Sequence, residues 1–199
     1  MPRVLSDTDV ADFRERLCDA AARLFAERGP DAVTMRQLAA ELGVSPMTPY
    51  RYFEDKDDIL AAVRANGFSR FAQALEAARA SATGARAIGS ATGKAYVDFA
   101  LANPHAYKLM FDFNQPNAEK YPELVAAGQR AQKTMTAHVE DALKEGLMEG
   151  DAQQIGLMFW AAIHGAVILE LAGMLPVGGG RQLFQSLDAA LTRGVRPQD

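Results

Sequence analysis

Residues 34–56 read TMRQLAAELGVSPMTPYRYFEDK. Thr34 is a favourable helix N-cap, and Gln37 three residues later completes a capping-box pattern, in which side chain and backbone satisfy each other's free donors. Leu38, Ala39 and Leu42 make one apolar face, and Gly43 ends the helix after about two turns. A second start signal follows at once. Ser45 is an N-cap residue, and Pro46 takes the first helical position, where its missing N–H costs nothing. The spacing predicts a third short helix running through Phe53, with Leu38, Leu42, Val44 and Phe53 available to bury the crossing. Pro49 conflicts with a regular start. It lacks the N–H that would bond the Ser45 carbonyl and its ring crowds that carbonyl, so the first turn is expected to be distorted or 3₁₀-like. Asp55 then caps a further helix from Lys56, with Asp58 reaching back from its third position.

The rest of the chain reads as helix in both directions. Upstream, Phe13, Leu17, Ala20, Ala21, Leu24 and Phe25 fall on one face of a helix over residues 9–28, which Gly29-Pro30 stops. Downstream, the helix from Lys56 continues through Ile59, Leu60, Val63, Phe68, Phe71 and Leu75 to a break at Gly84. Helices are expected over 85–102, after Pro104 (carrying Tyr107, Met110 and Phe111), over 122–148, over 151–175 and over 182–193. Residues 114–117 read as a loop, and Gly178-Gly179-Gly180 as a flexible connector. Alternating β-branched runs are absent. The fold class is all-α, about nine helices: an N-terminal three-helix unit, residues 1–56, and a C-terminal helical bundle, residues 57–199.

Composition narrows the function. With 49% hydrophobic residues among 199, the chain can bury a real core. Cys18 is the single cysteine, so it has no intrachain disulfide partner and no thiolate cluster can hold zinc. It reads as a small residue packed on the first helix. No apolar run is read as reaching a membrane span, the longest candidate being interrupted by His164, Glu170 and glycines. No secretory pattern opens the sequence. Cytoplasmic residence is the expectation. No paired Glu-x-x-His motif, nucleophile elbow or phosphate-binding glycine loop is present, and no two of His105, His138 and His164 share metal-ligand spacing on a helix. The chain is therefore expected to be no enzyme, with no metal and no cofactor. Net charge is −4 and the pI about 5.4. Through Lys56 the basic residues number eight against ten acids. If this chain binds a nucleic acid, a local cluster does it.

Two short helices joined by Gly43-Val44-Ser45-Pro46 have the layout of a helix-turn-helix. The N-terminal side chains of the second helix of such a unit can enter the major groove of double-stranded DNA, and its free N–H groups can face phosphate. The whole stretch 34–56, with Ala21-Ala22-Arg23-Leu24-Phe25-Ala26-Glu27-Arg28-Gly29 before it, resembles the signature of the tetracycline-repressor (TetR) family over about a quarter of the chain. The resemblance implies a dimeric regulator on a palindromic operator. It implies that Thr34 and Arg36 contact backbone or an adjacent base. Ser45 starts the recognition helix, and Pro46, Met47, Thr48 and Tyr50 meet bases and nearby phosphates. Tyr52 and Lys56 hold phosphates, and Arg51 either adds a charge contact or lies against the protein. Taken alone, the run Tyr50-Arg51-Tyr52-Phe53 is equally readable as packing at a helix end.

A second, shorter resemblance lies further on. Trp160-Ala161-Ala162-Ile163-His164-Gly165-Ala166, with Asn103-Pro104-His105-Ala106-Tyr107-Lys108-Leu109-Met110-Phe111, is similar to the TetR C-terminal domain named for a Trp–His–Gly pattern. It implies a helical domain that binds a small-molecule effector and forms a homodimer. The last two helices would pair with those of a second copy. Tyr96, Phe99, Tyr107, Phe111, Trp160 and His164 are the candidate effector pocket, with Phe113 nearby, and each is also readable as core. The aromatic content around residues 96–113 suggests a hydrophobic or aromatic effector. His164 reads equally as a hydrogen-bonded structural histidine. Effector, operator, regulated genes and sign of regulation are not written in the sequence.

Overall fold

A computed structural model describes residues 7–112 and 118–197. Phe113 and the expected loop at 114–117 lie outside the described residues. Among the described residues eight α-helices form: α1 (Asp7–Arg28), α2 (Met35–Glu41), α3 (Lys56–Ala80), α4 (Ala85–Ala102), α5 (Pro104–Met110), α6 (Pro122–Lys144), α7 (Ala152–Leu171) and α8 (Gly179–Gly194). Three 3₁₀ turns accompany them, at Pro30–Ala32, Pro49–Arg51 and Ala118–Lys120, and the described residues contain no strand. The described residues fall into two compact units. One lies within Met1–Phe68 and His105–Gly128, the other within Ser69–Pro104 and Gln129–Asp199.

The first unit is built around a core of Leu17, Leu24, Phe25, Leu38, Phe53 and Ile59, all at most 2% exposed. Cys18 sits in the same core, and burial pushes its thiol up to about 11. A thiol held that high is not a reactive redox sensor. α2 starts as its sequence predicts: the Thr34 hydroxyl accepts from the Gln37 N–H at 3.2 Å, and the Gln37 Oε1 accepts from the Thr34 N–H at 2.8 Å. It ends at Gly43, whose φ of +65° lets the Val44 N–H return to the Ala39 carbonyl at 3.0 Å. α5 is only seven residues long and its last carbonyls need partners. Arg64, 4% exposed on α3, supplies two: its Nε donates to the Leu109 carbonyl at 3.1 Å and its Nη2 to the Met110 carbonyl at 3.4 Å.

The third element differs from a regular helix over 45–53. Only Pro49–Arg51 is helical, and as a 3₁₀ turn. The Ser45 carbonyl, denied a partner on Pro49, accepts from the Thr48 N–H at 2.8 Å instead, one residue short of the α-helical bond. Distortion expected in the first turn therefore takes the whole element. Ser45 is a weak cap, its Oγ 3.4 Å from the Met47 N–H. With so few aligned peptides, little helix dipole is left to attract a phosphate at this point.

In the second unit α4 keeps its expected bounds, from Gly84 to Asn103. α6 ends at Lys144 rather than 148, and α7 at Leu171 rather than 175. In both cases a positive-φ glycine, Gly146 or Gly173, closes the helix with a bond back across six residues. Asp151 caps α7, its carboxylate accepting from the Gln154 N–H at 2.7 Å. α7 is long and apolar enough, by length and composition, to cross a membrane. That corrects the reading that no run in the chain approaches such a length. His164 and Glu170, taken as interruptions, are accommodated by partners on α4 and α8.

The three glycines read as a connector are also corrected. Gly178 is the N-cap of α8, and Gly179 and Gly180 are its first turn. The Glu170 carboxylate of α7 accepts from the N–H groups of both Gly178 and Gly180 at 2.8 Å, so a side chain of one helix caps the next. A Cβ at position 180 would stand 2.7 Å from the Ala166 carbonyl oxygen. Gly180→Ala is thus expected to push α8 off α7 and cost about 1–3 kcal/mol. A thermal midpoint within a degree of the parent's would contradict this close approach.

Candidate nucleic-acid interface and ligand cavity

The turn after α2 presents the side chains expected to meet DNA. Met47 is 67% exposed and Tyr50 is 49% exposed. Thr34, Arg36, Ser45, Pro46 and Arg51 are exposed as well, while Thr48, Tyr52 and Lys56 are half-buried. Pro49 and Phe53 point inward and anchor the turn. The Arg14 guanidinium lies 4.2 Å over the Phe53 ring and donates to the Tyr52 carbonyl at 2.6 Å. The Tyr52 ring packs on Phe13 at 4.5 Å between centroids. Tyr52 is therefore shared between core and surface. The Thr34 hydroxyl is already engaged in its capping box. At the start of α3 the Asp58 N–H donates to Asp55 at 2.9 Å and the Glu54 N–H to Asp58 at 3.0 Å. Lys56 therefore sits beside acids that already occupy the helix N-terminus.

The second unit contains two adjoining chambers. The inner one, about 30 Å³, is lined by Tyr96, Trp160, Phe159, Ile163 and Phe184 among others. The outer one, about 340 Å³, opens among the ends of α4, α6 and α8, and the two share Gly89, His138, Phe159 and Asp188. Gly89 and Gly93, one turn apart on α4, leave the space that His138 and Phe184 fill. Tyr96 organises a polar chain: the Trp160 Nε1 donates to its hydroxyl at 3.2 Å, and His164 Nδ1 lies 3.3 Å from the same oxygen.

Of the six expected pocket residues, Tyr96 and Trp160 line the inner chamber, and His164 reaches it through Tyr96. Phe99 packs edge-on against Phe71 at 5.3 Å. Tyr107 and Phe111 lie in the first unit, 5.0 Å apart, with Phe68 against Phe111 at 5.6 Å. Thr92 and Asp188 carry no expectation from the sequence, and His138 is weighed there only as a metal ligand; all three line the inner chamber. Thr92 Oγ1 is buried with no hydrogen-bond partner. Burial and the nearby Arg79 push the His138 imidazole down; burial alone pushes His164 down and the Asp188 carboxyl up.

Those histidine shifts carry a pH consequence. Both rings take up a proton at lower pH in the folded chain than in the unfolded one, which takes it up near pH 6.5. The stability this gives is present above that pH and lost as pH falls through the folded-state values. Lowering the pH from about 7.5 to 5.5 should lower the thermal midpoint, by on the order of 2–4 °C for each kcal/mol lost. His138→Gln should shrink that drop. An equal drop in the variant would show that His138 does not cause it.

Comparisons with known proteins bear on the family and the fold. The family profile described as bacterial regulatory proteins, tetR family, matches residues 17–63. The profile described as tetracyclin repressor-like, C-terminal domain, matches residues 90–196, over half the chain. A solved protein of unknown function from Rhodococcus sp. RHA1 is 31% identical, with a TM-score of 0.81 over 99% of this chain and 100% of that one. A bacterial regulatory protein in the tetR family from Rhodococcus RHA1, 22% identical, shares the fold with a TM-score of 0.76 over 94% of this chain and 98% of its own. The uncharacterized HTH-type transcriptional regulator Rv0681 of Mycobacterium tuberculosis is 27% identical over 182 residues, 92% of this chain and 81% of the relative. The chain belongs to the TetR family and is a DNA-binding transcriptional regulator.

Proposed function

We propose that this regulator is a ligand-released repressor that binds a palindromic operator as a homodimer. The observation that carries the reading is the exposure of Met47 and Tyr50. Among the described residues of the first unit they are the only large apolar side chains left exposed, and they flank Thr48 on one turn. Apolar and hydroxyl groups on a rigid turn suit base edges and thymine methyls. Thr48 and Tyr50 read bases in this account. Arg36, Arg51 and Lys56 hold phosphates. All of the DNA-reading residues lie within residues 1–56.

The dimer reading rests on α7. Leu157, Met158 and Ile168 are 38–40% exposed on that helix, and Met174 just beyond it is 73% exposed. An apolar face of this kind, left over after α7 has packed on α4 and α8, suits an isologous interface with the same helices of a second copy. Two heads about 34–36 Å apart would then match successive major grooves. A small effector entering the chambers bears on α3, which carries Phe71 and Leu75 in the second unit and Ile59 and Leu60 in the first. The protein acts by binding, without turnover, where the chromosome is, in the cytoplasm.

Transcription in vitro from a promoter overlapping the selected operator tests this reading. Added protein should lower transcript yield, with two protomers on each duplex by sedimentation. A rise in transcript would make the protein an activator, and one protomer per site would remove the dimer.

A further inference from the structure

The outer chamber is asymmetric in a way that an apolar effector leaves unexplained. One side is apolar: Ala142, Leu147, Met148 and Phe159 line it. The other side carries Arg86 at the start of α4 and Arg193 and Arg196 at the end of α8. Against these three cations the lining holds one acid, Asp188, so the lining is net positive in a chain of net charge −4. No ion pair joins any of the three arginines to a carboxylate among the described residues. Arg193 has a local reason to be there, since a cation suits the last turn of a helix. Arg86 stands in the first turn of α4, where the Glu145 carboxylate already accepts from the Ala85 N–H at 2.9 Å, and it makes no ion pair with that acid. Deeper in, Thr92, 6% exposed and with its hydroxyl unpartnered, lines the inner chamber beside His138.

We propose that the chambers take an amphipathic organic anion, with its apolar body against Leu147, Met148 and Phe159 and a carboxylate or phosphate head held by Arg86, Arg193 and Arg196. This rests on the effector-pocket reading above and gives that effector a charge. A volume of about 340 Å³ is at the compact end of small-molecule sites. Guanidinium groups grip carboxylate and phosphate through paired N–H donors, which a neutral head cannot match.

Trp160 is the only tryptophan in the chain and lines the inner chamber, so its emission reports occupancy without DNA. The full-length protein is titrated with decanoate, decyl phosphate, decan-1-ol and decyltrimethylammonium. At least one of the two anions should bind at least about tenfold tighter than the alcohol, and the cation more weakly than either. The better anion identifies the head. R86Q/R193Q/R196Q, all at exposed positions, should keep the alcohol affinity and lose the preference. Equal affinity for the anions and alcohol, both with a Trp160 response, would overturn the charge assignment and leave the pocket standing. A preference that survives the triple variant overturns the arginine assignment. No response to any of the four amphiphiles would remove pocket and proposal together.

Discussion

Phe53→Ala is expected to destabilise the first unit by about 3–5 kcal/mol, a large share of a small domain's stability. Phe53 is 2% exposed and closes the core beneath the DNA-facing turn, against Leu38 and Ile59. Truncation removes the ring's apolar burial and leaves a cavity that the 3₁₀ turn is too short to fill. It also removes the surface on which Arg14 rests, a cation–π contact worth about 0.5–2 kcal/mol. Arg14 then holds the Tyr52 carbonyl with nothing behind it, and the turn carrying Thr48 and Tyr50 loses its anchor. Denaturant melts followed by circular dichroism measure the loss, while Trp160 emission follows the second unit alone. The helical signal should fall at lower denaturant than in the parent. A shift below about 1 kcal/mol would mean that the ring is not a core support.

Thr48→Ala and Tyr50→Ala should each weaken operator binding by roughly 1–3 kcal/mol, or about 10–100-fold. Tyr50 is half exposed, so its loss should leave stability within about 0.5 kcal/mol of the parent. Lys56→Ala provides the contrast. A phosphate contact carries no sequence information, so its removal should weaken all duplexes alike and reduce the salt slope by about one. Because the chain is acidic overall, that slope should be small to begin with. Titrations of operator and scrambled duplexes at several salt concentrations separate the two classes. If Tyr50→Ala weakens operator and scrambled DNA equally, the tyrosine is not reading bases.

Local chemistry explains which parts of this architecture can be read directly from the chain. The Thr34–Gln37 box, the Asp55 cap and the Gly84 break all act within about four residues and appear where their patterns predict, though Asp58 reaches back to the Glu54 N–H rather than to that of Asp55. Readings failed where a distant group intervened. Gly178, Gly179 and Gly180 look like a linker until the Glu170 carboxylate, eight to ten residues away, caps them into a helix. Pro49 announced a distorted turn, but the loss of the rest of the helix followed from the alternative partner found by the Ser45 carbonyl. In the sequence His164 and Glu170 interrupt the apolar run of α7, which hides its bilayer length. In the fold both are satisfied by neighbours.

The cavity was partly legible. Tyr96, Tyr107, Trp160 and His164 stand out because each adds a polar atom to an apolar wall, but Tyr107 does not line the cavity. His138 had the same signature, lying between Met135 and Val139 on α6, both buried. Asp188 did too, lying between Leu187 and Leu191 on α8. Thr92 gave no signal at all. Tyr107 and Phe111 share their aromatic character with the cavity residues but pack in the first unit, and helix periodicity alone does not tell which unit an aromatic joins. The arginines of the outer chamber come from residues more than a hundred positions apart, so only the folded chain brings them together.

Selection of bound sequences from random duplex DNA by the full-length protein, at physiological salt, tests the central claim most directly. A palindrome should be recovered, with half-sites about one helical turn apart, and it should vanish for Tyr50→Ala. Recovery of no sequence above the random background would contradict base reading by the turn at Thr48 and Tyr50. It would do so most clearly if the outcome were the same with the chambers empty and with decanoate bound.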